Sequence, residues 1–330
     1  MLQEKATKRL RVIFWSSSEF GLPTLSFLLK SDLYDVPLVI TRAPAPKGRK
    51  QELAPTVVGD YMRAEYPDVQ LAEPEKLAYN DELKARVRAL NPDAYVLASF
   101  GMILPSSYLA LAKHPLCLHP GPLPKFRGAI PIRAVLMEGL TETQLCVMKM
   151  VREADAGPVM LRRKQVIDPQ DNFGTLREKL ALLGAQCTYV ALRSIGEGSE
   201  HYEEQVGEPS YTKILTTEDT YIDFKWDARR IVNFIRGLAP EPGAACLDPW
   251  GRRIKLLRAT VGRQDIPGSL PGSVLAENKV SFTLAAGDDN AVCVHEVQPE
   301  GRRIMNAHEY LAGHRVSAGL SFANIPLKHE

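Results

Sequence analysis

Over the first two hundred residues, short runs of consecutive apolar residues alternate with segments whose apolar positions recur every three or four residues. Residues 10–15 (LRVIFW), 37–40, 94–98 and 116–119 are of the first kind, which suits strands buried on both faces. Residues 20–30, 56–65, 81–90, 130–137 and 173–195 are of the second kind and predict helices. Two further strands are predicted at 144–150 and 159–166. Such alternation predicts a doubly wound, mainly parallel α/β sheet of Rossmann-like type. The pattern then breaks. Residues 195–210 (IGEGSEHYEEQVGEPS) are rich in Gly, Glu and Ser and almost free of apolar side chains, as expected of an interdomain linker. The expected division is therefore a catalytic domain over 1–194, a linker over 195–210 and a second domain over 211–330. The second domain opens with a helix at 227–237, with Asp227 as N-cap and Gly237 as C-terminal stop. Short runs at 254–261, 272–275, 279–284 and 291–297, separated by the turn sequences WGRR, GDDN and PEGRR, predict a small OB-like β-barrel.

Composition adds limits. The chain has 330 residues, long enough for two separate cores. It is 45% hydrophobic and 24% charged, the values of an ordinary globular protein. It holds no apolar run of about 18 residues for a membrane span. The apolar run near the N-terminus is too short for a signal peptide, so a cytoplasmic location is expected. Five cysteines are widely scattered with no CxxC, which argues against a disulfide framework or a zinc site, and no metal is expected. The net charge is +2 and the chain after residue 206 carries 15 Lys and Arg against 15 Asp and Glu, so any nucleic-acid contact must use local patches. After the first predicted strand comes Ser16-Ser17-Ser18-Glu19-Phe20-Gly21, with one glycine where a dinucleotide fingerprint needs three.

The segment with most chemistry is Cys117-Leu118-His119-Pro120-Gly121-Pro122-Leu123-Pro124-Lys125-Phe126-Arg127-Gly128. His119 ends a buried strand, where open α/β sheets bind ligands, and the loop after it is stiffened by proline. Asp155 lies in a D-x-G turn between two strands and can orient an imidazole if the sheet brings it there. Each residue also has a bland role: His119 in the core, Asp155 as a turn former, Lys125 and Arg127 as solvated charges. The residues alone leave both open.

This segment, with the downstream aspartate, resembles the signature N-x-H-x-S-L-L-P-x-[YWF]-R-G of the folate-dependent formyltransferases. Residues 14–20, the basic loop at 41–50 and residues 100–105 are similar to that family in the same order. Residues 235–244 and 298–305 resemble the C-terminal barrel of its tRNA-directed members. The resemblance covers nearly the whole chain. It implies transfer of the formyl group of 10-formyltetrahydrofolate to the α-amine of methionine on initiator tRNA, by a monomer and without a metal. It implies that His119 acts in acid–base or donor roles, with Asp155 positioning it. Phe100, Gly101, Met102, Ile103 and Leu104, with Gly121, Pro122, Leu123 and Pro124, would line the folate. Arg42, Lys47, Arg49 and Lys50 would contact the tRNA, through phosphate contacts that salt weakens.

The pattern is departed from at two places. Cys117 stands where the family carries Asn, and a thiol is a weaker donor than an amide. Loss of an oxyanion donor costs on the order of 10²–10³ in rate. Cys117 shares a strand face with His119, which also places a nucleophile there, although direct transfer to an amine needs none. Gly121 and Pro122 replace Ser-Leu. The rival expectations are a sugar-amine formyltransferase, a 10-formyltetrahydrofolate hydrolase, and a folate- or tRNA-binding homologue weakened at Cys117.

Overall fold

In the computed structural model, residues 9–47, 51–263, 268–288 and 290–326 are described. They form two compact units. The first comprises the chain up to Gly128 with 143–165 and 177–211; the second comprises 129–142, 166–176 and the chain from Thr212 onward.

The first unit is built on a seven-stranded sheet. β1 (Leu10–Trp15) leads through α1 (Leu22–Lys30) to β2 (Tyr34–Ile40). A hairpin of β3 (Ala45–Lys47) and β4 (Glu52–Ala54) precedes α2 (Val57–Glu65) and β5 (Gln70–Ala72). The chain then returns through α3 (Asp81–Leu90) to β6 (Ala94–Leu97), and through the single-turn α4 (Ser106–Leu109) to β7 (His114–His119). The two-residue strand β8 (Arg127–Gly128) is followed by α5 (Pro131–Met137), which belongs to the second unit. β9 (Glu142–Lys149), β10 (Val159–Val166) and α6 (Phe173–Glu197) come next, and β11 (Tyr211–Thr212) pairs back on β8.

The strand order is β10-β9-β7-β6-β1-β2-β5. β5, β2, β1, β6 and β7 are parallel, and β9 runs antiparallel to β7. The order reverses at β1: the chain leaves it toward β2 and β5 and resumes on its other side at β6. Open sheets bind ligands at such a switch point, beyond the carboxyl ends of the strands. β1 is buried on both faces, as its continuous apolar run requires. Ile13 and Trp15 point into one layer with Leu38, Ile40, Tyr95, Phe100 and Tyr108. There Trp15 meets Tyr95 and Phe100 edge-to-face, each with centroids 5.4 Å away.

Residues 195–210, expected as a linker, begin inside α6. Past its end the chain runs beside β10, where Glu203 and Val159 exchange backbone hydrogen bonds of 2.7 and 2.9 Å. Few apolar side chains hold this strap; its backbone and polar groups do.

The second unit opens with α7 (Ala228–Leu238), whose N-cap Asp227 accepts from Arg230 N at 2.8 Å. β12 (Ala244–Leu247), β13 (Arg253–Arg263), β14 (Val274–Glu277), β15 (Phe282–Ala285) and β16 (Asn290–Pro299) follow. β17 (Met305–Asn306) and α8 (Ala307–Gly313) complete the order of elements. The antiparallel sheet has order β12-β13-β16-β15-β14, with β17 on β16. Its two edges are bridged by the chain after α8. Leu247 and Ala323 exchange hydrogen bonds of 2.8 and 3.0 Å, while Phe322 N donates to Gly272 O at 2.9 Å and Val274 N to Leu320 O at 2.8 Å. The sheet is thereby closed into a barrel, which removes its edges.

Gly237 is not the expected helix stop. α7 continues to Leu238, and a Cβ on Gly237 would lie 2.6 Å from Met137 Cγ and 3.1 Å from Arg133 O. The glycine is there so that α5 can approach α7, and Arg133 Nη1 donates to its carbonyl at 2.9 Å.

Candidate active site

The site lies within the first unit, at the end of β7. All six residues of that strand are buried. Side chains alternate along a strand, so Cys117 and His119 share a face. Cys117 packs among Leu123, Cys146, Met148 and Val159. Burial, reinforced by the charge of Asp155, pushes its thiol well above the usual cysteine range. The group therefore stays a neutral thiol at physiological pH, which removes the basis for a nucleophilic role.

His119 is 3% exposed. Its Nε2 lies 3.0 Å from the carbonyl oxygen of Phe126. A carbonyl can only accept, so Nε2 carries a hydrogen. Nδ1 then faces Asp155 Oδ2 at 3.6 Å. Burial pulls His119 below its ordinary value, Asp155 and the Phe126 carbonyl push the other way, and Arg127 adds to the lowering. We assign a neutral ring with its lone pair on Nδ1. Adding a proton there gives a cation with an acceptor at each nitrogen.

Both partners of the ring are held in unusual backbone. Phe126 has φ +57° and Asp155 φ +54°. Aspartate tolerates this region because its short side chain bonds locally; for a bulky aromatic it costs about 1–3 kcal/mol. Asp155 Oδ2 accepts from Gly128 N at 2.7 Å, so the carboxylate bridges β8 and His119. Gly157 makes the turn possible, since a Cβ there would fall 1.9 Å from Lys149 O. Phe126 is pinned by the strap: its N–H donates to Ser210 Oγ at 2.9 Å, and Arg127 N to Ser210 O at 2.9 Å.

Lys125 is exposed, as a solvated charge would be, but Arg127 is 8% exposed. Its Nε and Nη2 donate to Gln205 Oε1 at 3.2 and 2.8 Å, and Nη1 to Tyr211 Oη at 3.2 Å. Gln205 Nε2 in turn donates to the carbonyls of Asp155 at 2.7 Å and Gly157 at 2.8 Å. Gln205 and Ser210 carry no signal in the sequence, because their polar surroundings have the composition of a linker.

The other expected residues divide. Phe100 and Leu104 are core, Gly101 and Ile103 are exposed, and Met102 lies between. Gly121 and Leu123 are buried, and the Gly121 carbonyl accepts from the Cys146 thiol at 3.3 Å; Pro122 and Pro124 are partly exposed. Arg42 is exposed at the end of β2, its N–H donating to Ser17 Oγ at 3.0 Å. A Cβ on Gly101 would lie 3.4 Å from its Nη1, which places this cation at the switch point. Lys47 ends β3; its side chain, Arg49 and Lys50 lie outside the described residues.

Residues 9–192 match the formyl transferase family model, and 214–315 match the formyl transferase C-terminal domain. The chain belongs to the formyltransferase family. Two relatives called methionyl-tRNA formyltransferase run along nearly its full length. That of Caldanaerobacter subterraneus subsp. tengcongensis is 35% identical over 312 residues, covering 94% of this chain and 99% of its own. That of Bacillus subtilis is 32% identical over 317 residues, covering 94% and 96%. Two solved structures share the formyltransferase fold. The N-formyltransferase of Helicobacter canadensis, in complex with folinic acid and dTDP-3-aminofucose, has TM-score 0.64 at 14% identity, covering 88% of this chain and 99% of that one. HypX of Aquifex aeolicus, in complex with tetrahydrofolic acid, has TM-score 0.63 at 17% identity, covering 92% of this chain and 47% of that one.

Proposed function

We propose that this formyltransferase moves the formyl group of 10-formyltetrahydrofolate onto the α-amine of methionine esterified to initiator tRNA. One observation carries the reading: a buried His119 sits between the Phe126 carbonyl and Asp155, in a chain whose full-length relatives are called methionyl-tRNA formyltransferases. The partly exposed Met102, Pro122 and Pro124 and the bare backbone of Gly101 suit a flat heteroaromatic co-substrate, which needs apolar faces and backbone groups. That co-substrate supplies the formyl carbon.

The chain supplies acid–base chemistry. As the amine attacks, it must lose a proton, and His119 Nδ1 is the basic nitrogen able to take it. The imidazolium that forms is held by Asp155 on one side and Phe126 O on the other. As the tetrahedral adduct collapses, the bond between the formyl carbon and N10 breaks and the proton held on His119 goes to N10, which releases tetrahydrofolate and restores the neutral ring. Charge that develops on the formyl oxygen needs a donor. Cys117 offers a weak one, so the site depends more on its acid–base pair than an Asn-bearing site does. Arg42 and the basic loop, with the barrel, would engage the tRNA. We read the enzyme as a cytoplasmic monomer with catalysis in 1–194 and tRNA binding in 211–330; among its described residues no helix is long and apolar enough to cross a membrane.

The test is purified protein with 10-formyltetrahydrofolate and methionyl initiator tRNA, scored for formylmethionyl-tRNA and free formate. Product on tRNA at steady turnover is expected. Brisk formate release with no tRNA product would make the protein a hydrolase instead.

A further inference from the structure

Resting on the reading above, we infer that Gln205 of the strap is a positioning residue for Asp155: its amide spans the carbonyls of Asp155 and Gly157 while its oxygen holds Arg127. Aspartate tolerates the left-handed region, but the position of its carboxylate depends on the bonds that tie the turn. The Asp155 turn is tied by its carboxylate to Gly128 N and on its outer side by Gln205 Nε2, at 2.7 and 2.8 Å from the two carbonyls. The amide is used at both ends, because Oε1 takes two N–H groups from the buried Arg127. A primary amide supplies two donors and an acceptor on one planar group; a carboxylate can only accept, and a thioether does neither well. Arg127 adjoins Phe126, whose carbonyl binds His119 Nε2 and whose N–H is held by Ser210 of the same strap. The strap thus fixes the partner of each His119 nitrogen, through Gln205 on the Nδ1 side and Ser210 on the Nε2 side. A misplacement of about 1 Å in such a pair can cost 10²-fold in rate.

The test uses the full-length enzyme with Gln205→Met and Gln205→Glu. Met keeps the length and loses both functions; Glu keeps the acceptor for Arg127 and loses the donors. Both are expected to lose about ten- to a hundredfold in kcat, with KM for folate and for tRNA within about twofold. A second readout is independent of turnover: the titration of His119 by NMR in histidine-labelled protein, with the resonance assigned against His119→Gln. The groups facing the ring are Asp155, Arg127, the Phe126 carbonyl and the neutral thiols of Cys117 and Cys146. In Gln205→Met the carboxylate moves off, so the midpoint of His119 falls below that of the parent. A Gln205→Met enzyme with parental kcat and midpoint would overturn the inference. So would full activity in Gln205→Glu, since that variant can hold Arg127 but not the turn. If the parent itself transfers nothing to methionyl-tRNA, the proposed function fails, and the His119 midpoint still decides the role of Gln205.

Discussion

At the residue scale, the proposed chemistry rests on His119 and Asp155, and each tests differently. His119→Asn removes the base and is expected to lower kcat by about 10²–10⁴, the usual contribution of a positioned proton acceptor. Asp155→Asn keeps the shape of the turn and removes its charge, so kcat falls while thermal unfolding changes little. The pH profile carries the same logic. His119 is held below its ordinary value by burial, so the acid limb of kcat is expected below about 6.5, the unperturbed histidine value. Asp155 opposes that lowering, so Asp155→Asn moves the limb lower still. A limb above about 6.5 would mean that the ion pair wins over burial. Stability follows suit. The unfolded chain takes up a proton on this side chain as pH drops through the unperturbed value, while the folded one resists, so stability present above that pH is eroded below it. Cys117→Asn places an amide among Leu123, Cys146, Met148 and Val159. It is expected to lower the melting temperature, since an unpartnered buried amide costs about 1–3 kcal/mol, yet to raise kcat or leave it unchanged. A large loss of kcat in the folded variant would give the thiol a role that neither its burial nor its weak donor explains.

At the scale of elements, what is long or continuous was legible and what is short was not. β1, β6, β7 and α6 declare themselves through apolar runs and a helical repeat. β5 and α4 have three and four residues, too few for any period to register. α8 carries a sign that was there to be read: Asn306 and Glu309 form a capping box. Gly237 shows the opposite failure, because a glycine near a helix end and one at a helix crossing look alike in sequence. The bonds of the strap are invisible in sequence for a physical reason: hydrophobic periodicity cannot report a segment that is tied down by hydrogen bonds. His119 and Asp155 could be singled out by motif, but Gln205 and Ser210 needed the sheet to bring residues some fifty to eighty positions away beside them. Gly157→Ala tests the turn as a unit. Its new methyl would strike Lys149 O, so a loss of about 1–3 kcal/mol in unfolding free energy is expected, together with a fall in kcat as Asp155 shifts. Parental stability in that variant would show that the turn can relax around the methyl.

At the scale of the whole molecule, the α/β sheet and the run of short strands after it were both legible, since alternation and turn spacing are averaged over many residues. The barrel's closure was not, because residues 320–323 carry no strand pattern of their own and pair with two separate edges. Charge is the other property of this scale. The net value is +2, so recognition of RNA has to be local. Replacing Arg42, Lys47, Arg49 and Lys50 together by Ala is expected to raise KM for tRNA, flatten its dependence on salt and spare KM for folate. An unchanged salt dependence would move the phosphate contacts to another surface.

The most direct measurement of the central claim is single-turnover formyl transfer to methionyl initiator tRNA by the parent and by Asp155→Asn, followed across pH 5 to 8. Formylmethionyl-tRNA is expected from the parent with an acid limb below about 6.5, and from the variant a slower reaction whose limb is displaced further toward acid. Transfer that is equally fast in both, with the same pH dependence, would contradict that claim.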